Sequence, residues 1–325
     1  MEAKPKIPGL LSEVSEDLEL VEGKIRNTLE NEDALLNEVA LHLLKAGGKR
    51  LRPALVLLAG KFNSYDLEKL VPLAAAVELI HMATLVHDDV IDGAFIRRGW
   101  PTINAKWNEE ISILIGDYLF AHAFSLLSAQ GDNRVVNLMA KVVYEMSTGE
   151  IDQLSSACRL DQSERDYLER IEKKTSLFIA KCCELGALAS GASVEHCQAL
   201  ERYGYGVGMG YQIIDDILDF TSTAERLGKP VGSDLRGGVL TLPVIYSLRV
   251  SKERDRLALL LDNPIGEEEI EEVVSILKRS GSFDYSYDMA GSFISQAKEQ
   301  LMVLPEGSTR NTLREVADFV LRRDF

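Results

Sequence analysis

Residues 70 to 92 read LVPLAAAVELIHMATLVHDDVID, an apolar stretch from Leu70 to Val86 that ends in three aspartates, Asp88, Asp89 and Asp92. Its apolar residues recur at three- and four-residue spacing, the period of a helix. Working outward, the same spacing returns in Leu35 to Leu44, Ile111 to Leu127, Val135 to Met146, Asp166 to Ser190 and His196 to Phe220. It continues in Leu240 to Val250, Ile270 to Arg279, Ser286 to Leu304 and Thr309 to Arg323. No series of alternating strands with Asn-Gly or Asp-Gly turns interrupts them. The expected fold class is therefore all-α. Breaks between helices are short and turn-rich except for Gly93 to Glu109 and Thr221 to Gly238, and loops of that length are more often functional than accidental. With no polar linker or shift in composition, residues 1–325 are expected to form a single domain.

The composition narrows the classes of function. Hydrophobic residues make up 46% and charged residues 27% of the 325, enough for a substantial core. The net charge, 36 − 51 = −15, argues against a nucleic-acid binder, which needs an excess of Lys and Arg. An anionic ligand must then meet a local basic cluster or a bound metal ion. No apolar run reaches the roughly 20 residues of a transmembrane helix, so no membrane-spanning segment is expected. The start, Met1-Glu-Ala-Lys-Pro-Lys, lacks the apolar core of a secretion signal. Cys158, Cys182, Cys183 and Cys197 show no CxxC spacing, and a reducing cytoplasm is the expected location.

The aspartates recur. Gln212-Ile-Ile-Asp215-Asp216-Ile-Leu-Asp219 again places DDxxD on an apolar helix, this time before a Gly-rich loop. At this aspartate content one such match arises by chance about one time in ten, so the pair is informative where one is weak. Residues i and i+4 share a helix face, which sets Asp88 with Asp92 and Asp215 with Asp219; Asp89 and Asp216 lie about 100° round. Like charges at that spacing near a helix C-terminus are unfavourable, and magnesium compensates well, since it prefers carboxylate oxygen and shares its shell with phosphates. The basic residues are gathered in Gly47-Gly-Lys-Arg-Leu-Arg-Pro53, in Arg97-Arg98, in Lys173-Lys174-Thr175 and at Lys229. Arginine grips phosphate with a planar fork and lysine acts as a compact charge.

At these residues the chain resembles the trans-isoprenyl diphosphate synthases. GGKRLRP, HDDVID followed by RRG, GDYLFA (Gly116 to Ala121), KKT, YQIIDDILD and GKPVGSDLRGG arrive in that family's order, from Gly47 to Pro243. The resemblance implies a helical bundle around a deep central cavity, a homodimer, and two aspartate motifs facing each other. It makes Asp88, Asp92 and Asp215 ligands of magnesium ions, with Asp89, Asp216, Asp219 and Asp234 in further or water-mediated contacts. Arg97, Lys174 and Lys229 grip the allylic diphosphate. Lys49, Arg52, His81 and Arg98 hold isopentenyl diphosphate, and Lys174, Thr175, Tyr211 and Gln212 belong to the reaction centre. One departure is Val239, where short-chain members carry a second lysine. Some medium-chain relatives also require a small accessory subunit.

The expected chemistry is ionisation of the allylic diphosphate, attack by the isopentenyl double bond, and loss of a proton to the released pyrophosphate. It needs no protein nucleophile, and the cation must be kept from water in an apolar cavity. Product length follows from the helix before Asp88. Ala83 and Thr84 lie about one turn deeper, with Ile80 and Ala76 beyond, and an aromatic ring there would floor the pocket. The small side chains leave it open, so a stop is expected lower, at Phe120, Phe124 or Leu127, and the product at roughly six to ten isoprene units. Four rivals remain. A short-chain synthase shares all these motifs, and a metal-dependent HD-type phosphohydrolase would use His87-Asp88. A terpene cyclase shares the first triplet, and a non-catalytic subunit would ordinarily have lost its aspartates.

Overall fold

The computed structural model describes residues 9–223, 230–263 and 265–323. Each helix that the apolar spacing predicts is present, and the described residues hold five more that the periodicity does not show. In chain order they run α1 (Ser15–Leu29), α2 (Ala34–Ala46), α3 (Leu51–Gly60), α4 (Leu67–Ile91), α5 (Ile103–Lys106), α6 (Glu109–Ser128), α7 (Asn133–Ser156), α8 (Glu164–Ile171) and α9 (Leu177–Ala189). There follow α10 (Val194–Thr221), α11 (Ser233–Arg236), α12 (Leu242–Val250), α13 (Arg254–Leu261), α14 (Glu267–Ser280), α15 (Ser282–Gln300) and α16 (Ser308–Arg322). A helix at α1 was not expected because charged residues dominate it. Its one buried stripe, Val21, Ile25 and Leu29, is nonetheless spaced at four residues.

Local chemistry sets the starts. The side chains of Asp33, Asp66, Thr102 and Asn108 accept from the backbone N–H groups of Leu36, Glu68, Ala105 and Ile111, satisfying donors that a helix leaves open. Ser163 and Asp166 form a reciprocal capping box at α8. The expected long loop after Asp92 is ordered by a minimal hairpin, β1 (Ile96–Arg97) against β2 (Trp100–Pro101). Arg98 and Gly99 turn it, both with positive φ (53° and 79°), as a two-residue turn joining right-twisted strands demands.

By compactness the chain divides into two units, each assembled from separate stretches. One takes in the chain up to Val143 with Lys181–Glu201 and Leu301–Glu315; the other is Tyr144–Ala180, Arg202–Gln300 and the chain from Val316 on. That discontinuity explains why no linker can be read in the sequence. In the first unit α4 is the central element, packed by α1, α3 and α6, and its buried residues lie on all sides of the helix. In the second, α12 packs against α13, α14 and α15, beneath a core that includes Tyr167, Ile213, Ile217, Leu242 and Val273.

The expectation that no stretch is long and apolar enough to span a bilayer needs correction. By length and composition α4 and α6 both qualify, with mean hydropathies of 1.6 and 1.5. Isolated polar residues such as Glu78 and His81 conceal the run in α4. The corresponding window of α4 is 67% enclosed by the protein, as in a core helix, whereas that of α6 is 33% enclosed.

Where α9 crosses α3 the backbones all but touch. A Cβ built on Gly186 would lie 2.0 Å from the Val56 carbonyl oxygen, and a backbone carbonyl cannot swing aside as a flexible side chain can. Gly186→Ala should therefore destabilise the protein by about 1–3 kcal/mol through overpacking. Denaturant unfolding checks this, and a midpoint equal to wild type would show that the two helices separate without cost.

Candidate active site

The first aspartate triplet closes α4. Asp88 is half-buried, Asp92 is exposed at the helix C-cap, and Asp89 is buried. Asp89 does not stand open to a ligand: its Oδ1 accepts from Arg97 Nε at 2.6 Å. Burial raises the Asp89 carboxyl above the ordinary aspartate value, and Arg97 opposes that rise. Arg97, expected on diphosphate, is thus also the cation that holds the middle aspartate.

The basic segment after Gly47 splits by role. Arg50 turns inward and pairs with Glu22 and Glu78; burial works against its charge, but the two carboxylates hold it protonated. Arg52 Nη1 lies 3.2 Å from His81 Nε2. A guanidinium only donates, so Nε2 is the acceptor and the ring proton sits on Nδ1. Burial, then the charges of Arg52, Arg98, Arg97 and Arg50, keep His81 well below the usual histidine pKa. Arg98 donates to the Gly47 carbonyl, and a Cβ on Gly48 would meet its Nη1 at 2.9 Å. The expected close approach at the glycines is therefore made by the protein's own arginine. Lys49 is exposed beside them. Arg50, His81, Arg97 and Arg98, with Glu78 and Asp89, line a cavity of about 60 Å³.

His87 does not act as the phosphohydrolase reading requires. Its Nε2 lies 3.1 Å from the Ile113 carbonyl, and its ring fills the space that a Cβ on Gly116 would occupy. The glycine of GDYLFA thus serves the packing of α6 on α4. Phe120 stands next to His87, ring centroids 5.9 Å apart, and Phe124 follows one turn along α6, both half-buried. Of the residues expected to line the product pocket, Ala83 and Ile80 are wholly enclosed by protein atoms, whereas Thr84 is half-buried. Ala83 packs; Thr84 is the accessible one.

The second triplet lies near the end of α10 and is sorted by burial in the same way. Asp215 retains 38% of its side-chain exposure, while Asp216 and Asp219 are buried. Asp216 accepts from the Tyr167 hydroxyl at 2.7 Å and from Gln212 Nε2 at 2.8 Å. Gln212 Oε1 accepts in turn from the Thr175 hydroxyl at 2.7 Å. Burial and the nearby Asp234 charge raise the Asp216 carboxyl; the two hydrogen bonds and Arg170 pull it back. Asp219 accepts from the Asp234 backbone N–H.

Thr175 sits in a π-helical turn, Glu172–Ser176, which joins α8 to α9 and widens the helix where Lys173, Lys174 and Thr175 project. Lys174 pairs with Glu150 at 2.7 Å and Lys173 with Asp152 at 2.7 Å. Lys229 lies outside the described residues. No group of three or more His, Cys, Asp or Glu among the described residues is close enough to form a metal cage by itself. Asp89, Asp216 and Asp219, expected in further or water-mediated metal contacts, are buried in the protein. Asp88 and Asp92 in the first unit and Asp215 in the second remain accessible, and carboxylate oxygen is the donor that a hard divalent cation prefers. Sequence reasoning missed Glu78, Glu150, Tyr167, Arg170 and Arg323, none of which stands in a recognisable motif.

An all-α chain whose two acidic helix ends are each met by basic side chains defines a diphosphate-handling class of protein. The polyprenyl synthetase family profile matches residues 33–277, and the chain belongs to that family. It is 46% identical over 321 residues to heptaprenyl diphosphate synthase component 2 of Geobacillus stearothermophilus, covering 98% of this chain and 100% of that one. It is 38% identical over 312 residues to a short chain isoprenyl diphosphate synthase of Methanothermobacter thermautotrophicus, covering 94% and 96%. Among solved structures, the polyprenyl synthase of Caulobacter crescentus, complexed with calcium and isoprenyl diphosphate, superposes with a TM-score of 0.93 at 33% identity over 100% of both chains. The likeness extends well beyond the motif-bearing stretch from Gly47 to Pro243.

The half-buried His81 carries a pH signature. An unfolded histidine titrates near 6.5, and folded His81 lower. Above about pH 6.5 neither state is charged and the contribution is constant. Below it the unfolded chain takes up a proton that the folded one refuses, so stability falls by up to about 1.4 kcal/mol per pH unit until the folded pKa is passed. His81→Gln keeps an acceptor for Arg52 and should remove that share of the loss. Denaturant unfolding at several pH values compares the two proteins; equal slopes below pH 6.5 would mean that His81 is not held neutral.

Proposed function

We propose that this protein is a magnesium-dependent trans-polyprenyl diphosphate synthase, adding isopentenyl diphosphate head-to-tail to an allylic diphosphate. The observation that carries the reading is the sorting of both DDxxD motifs into accessible carboxylates and buried ones, each beside basic residues. Asp88, Asp92 and Asp215 are the direct magnesium ligands in this reading, and Asp89, Asp216, Asp219 and Asp234 support them through hydrogen bonds or water. Magnesium, when bound, supplies charge neutralisation at the departing pyrophosphate. Arg97, Lys174 and Lys229 hold the allylic diphosphate, so that its carbon–oxygen bond can ionise. Lys49, Arg52, Arg98 and the Nδ1–H of His81 hold isopentenyl diphosphate with its double bond toward the cation. Tyr211, Thr175 and Gln212 present oxygen to the reacting carbons. The proton lost after coupling goes to the released pyrophosphate.

The two compact units act together as one catalytic domain in this proposal, with the growing chain passing down an apolar tunnel along α4. Thr84 faces that path, and Phe120 or Phe124, both half-buried, ends it, giving roughly six to ten isoprene units. A second copy of the chain is the proposed cover for α6. Ile113 and Leu114 on that helix are 47% and 63% exposed, and Leu41 on α2 and Ile96 in the hairpin add to the same unit's uncovered apolar surface. The name of the Geobacillus relative motivates a second partner, a small accessory subunit. The free cysteines, Cys158, Cys182, Cys183 and Cys197, suit the cytoplasm.

Purified chain incubated with isopentenyl and farnesyl diphosphates plus magnesium should yield a ladder ending at the proposed length, read by chromatography. Asp88→Ala and Asp215→Ala should each lower turnover by at least about 100-fold with the fold intact, an effect on the scale of lost transition-state charge stabilisation. Turnover by either variant at the wild-type rate excludes the metal assignment. Inactivity of the wild-type chain alone, restored by an added accessory subunit, would establish the heteromer. Thr84→Phe should shorten the product by one or more units; an unchanged ladder would show that the path runs elsewhere.

A further inference from the structure

Arg323, the residue directly after α16, reaches the second aspartate helix. Its Nη2 lies 2.9 Å from Asp215 Oδ1 and donates to the Tyr211 carbonyl at 2.9 Å. The guanidinium sits over the Tyr211 ring, 3.8 Å from the centroid. The arginine side chain is 2% exposed and the Asp215 side chain 38% exposed, so the cation is buried while the carboxylate keeps an open side.

A guanidinium cannot shed its proton, so its charge in this position has to be answered, and Asp215 answers it. The ring and the carbonyl of Tyr211 fix the guanidinium from two further directions. The aspartate is thereby held in one orientation by a group that is itself immobile. Metal-binding carboxylates are commonly oriented in this way by a hydrogen-bonding neighbour that does not touch the metal. In the first triplet Arg97 holds the middle aspartate, whereas in the second Tyr167 and Gln212 hold the middle one and Arg323 meets Asp215.

We propose that Arg323 is a positioning residue, which fixes the Asp215 carboxylate for the divalent cation and so makes the segment after α16 part of the metal site. The inference rests on the reading of Asp215 as a ligand. An arginine that instead stood in the cation's place would have the opposite effect on affinity, and the two are separable.

Magnesium is titrated calorimetrically, with inorganic pyrophosphate present, into full-length wild type, Arg323→Gln, Arg323→Lys and Asp215→Asn. Arg323→Gln removes the charge and should weaken magnesium binding by about 10–100-fold, the usual effect of losing such a neighbour. Arg323→Lys keeps the charge, but one ammonium cannot reproduce the fork and the stacking, and a smaller loss is expected. Circular dichroism and the metal-free melting temperature show which variants are folded; should Arg323→Gln fail to fold, Arg323→Lys decides. Magnesium binding equal to or tighter than wild type in either folded variant overturns the proposal, and tighter binding identifies the arginine as a rival of the cation. If Asp215→Asn binds as wild type does, the ligand reading of Asp215 falls instead. If Asp215→Asn weakens binding and Arg323→Gln does not, only the positioning role is lost.

Discussion

Carboxylates placed at the C-terminal ends of apolar helices are the constraint around which both units are arranged. Each triplet adds negative charge where the helix dipole is already negative, and does so next to a core that cannot solvate it. The two solutions differ in chemistry. At α4 the buried member, Asp89, is answered by an arginine from the following hairpin. At α10 the buried Asp216 is answered by neutral donors, Tyr167 and Gln212, and the arginine goes to the accessible Asp215. With the inward-facing aspartates removed from solvent, Asp88 and Asp92 are the accessible members of the first triplet and Asp215 that of the second.

The same constraint explains where backbone strain is kept. Arg50 and Arg98 both have φ near 50°, in a region that non-glycine residues enter at a cost. Each is over-determined by what its side chain meets. Arg50 is locked between Glu22 and Glu78, and Arg98 is drawn to the Gly47 carbonyl. These two segments thus depend on each other: the loop before α3 holds its shape because the hairpin after α4 supplies an arginine to it. Gly48 lies at the meeting point, where a side chain would displace the tip of the Arg98 guanidinium.

Much of this was legible in the sequence, and the residues that were not share a cause. Helix content, the all-α class and the placing of both triplets at helix ends follow from local spacing and composition, which are properties of neighbours in the chain. The roles within the triplets are not local. Nothing in HDDVID says that Asp89 meets Arg97, or in YQIIDDILD that Tyr167, 49 positions earlier, donates to Asp216. GGKRLRP shows three cations but not that Arg50 belongs to the interior, because Glu78 reads as a lone polar residue in an apolar run. Arg323 carries no motif at all; only the folding of α16 makes it a neighbour of Asp215. The length of the apolar run in α4 was hidden for a related reason, since a buried ion pair lets a polar residue such as Glu78 sit in a helix whose composition is otherwise apolar.

Product length is the property furthest from any motif. The chain is similar at comparable coverage to a heptaprenyl and to a short-chain synthase, so the shared diphosphate-handling residues do not encode it. It has to reside in a few positions along the path, and the helix decides which. Ala83 and Thr84 are adjacent in sequence but about 100° apart around α4, so only one of them can face a given path. Ala83 is sealed into the core and a ring there would strain the helix packing before it met a substrate. Thr84 keeps its accessibility, and its hydroxyl is turned back to the His81 carbonyl at 2.9 Å, so that the side chain presents its methyl group. In the proposed path a small side chain at that point leaves room for an isoprenoid tail, and the decision on length falls to residues further down.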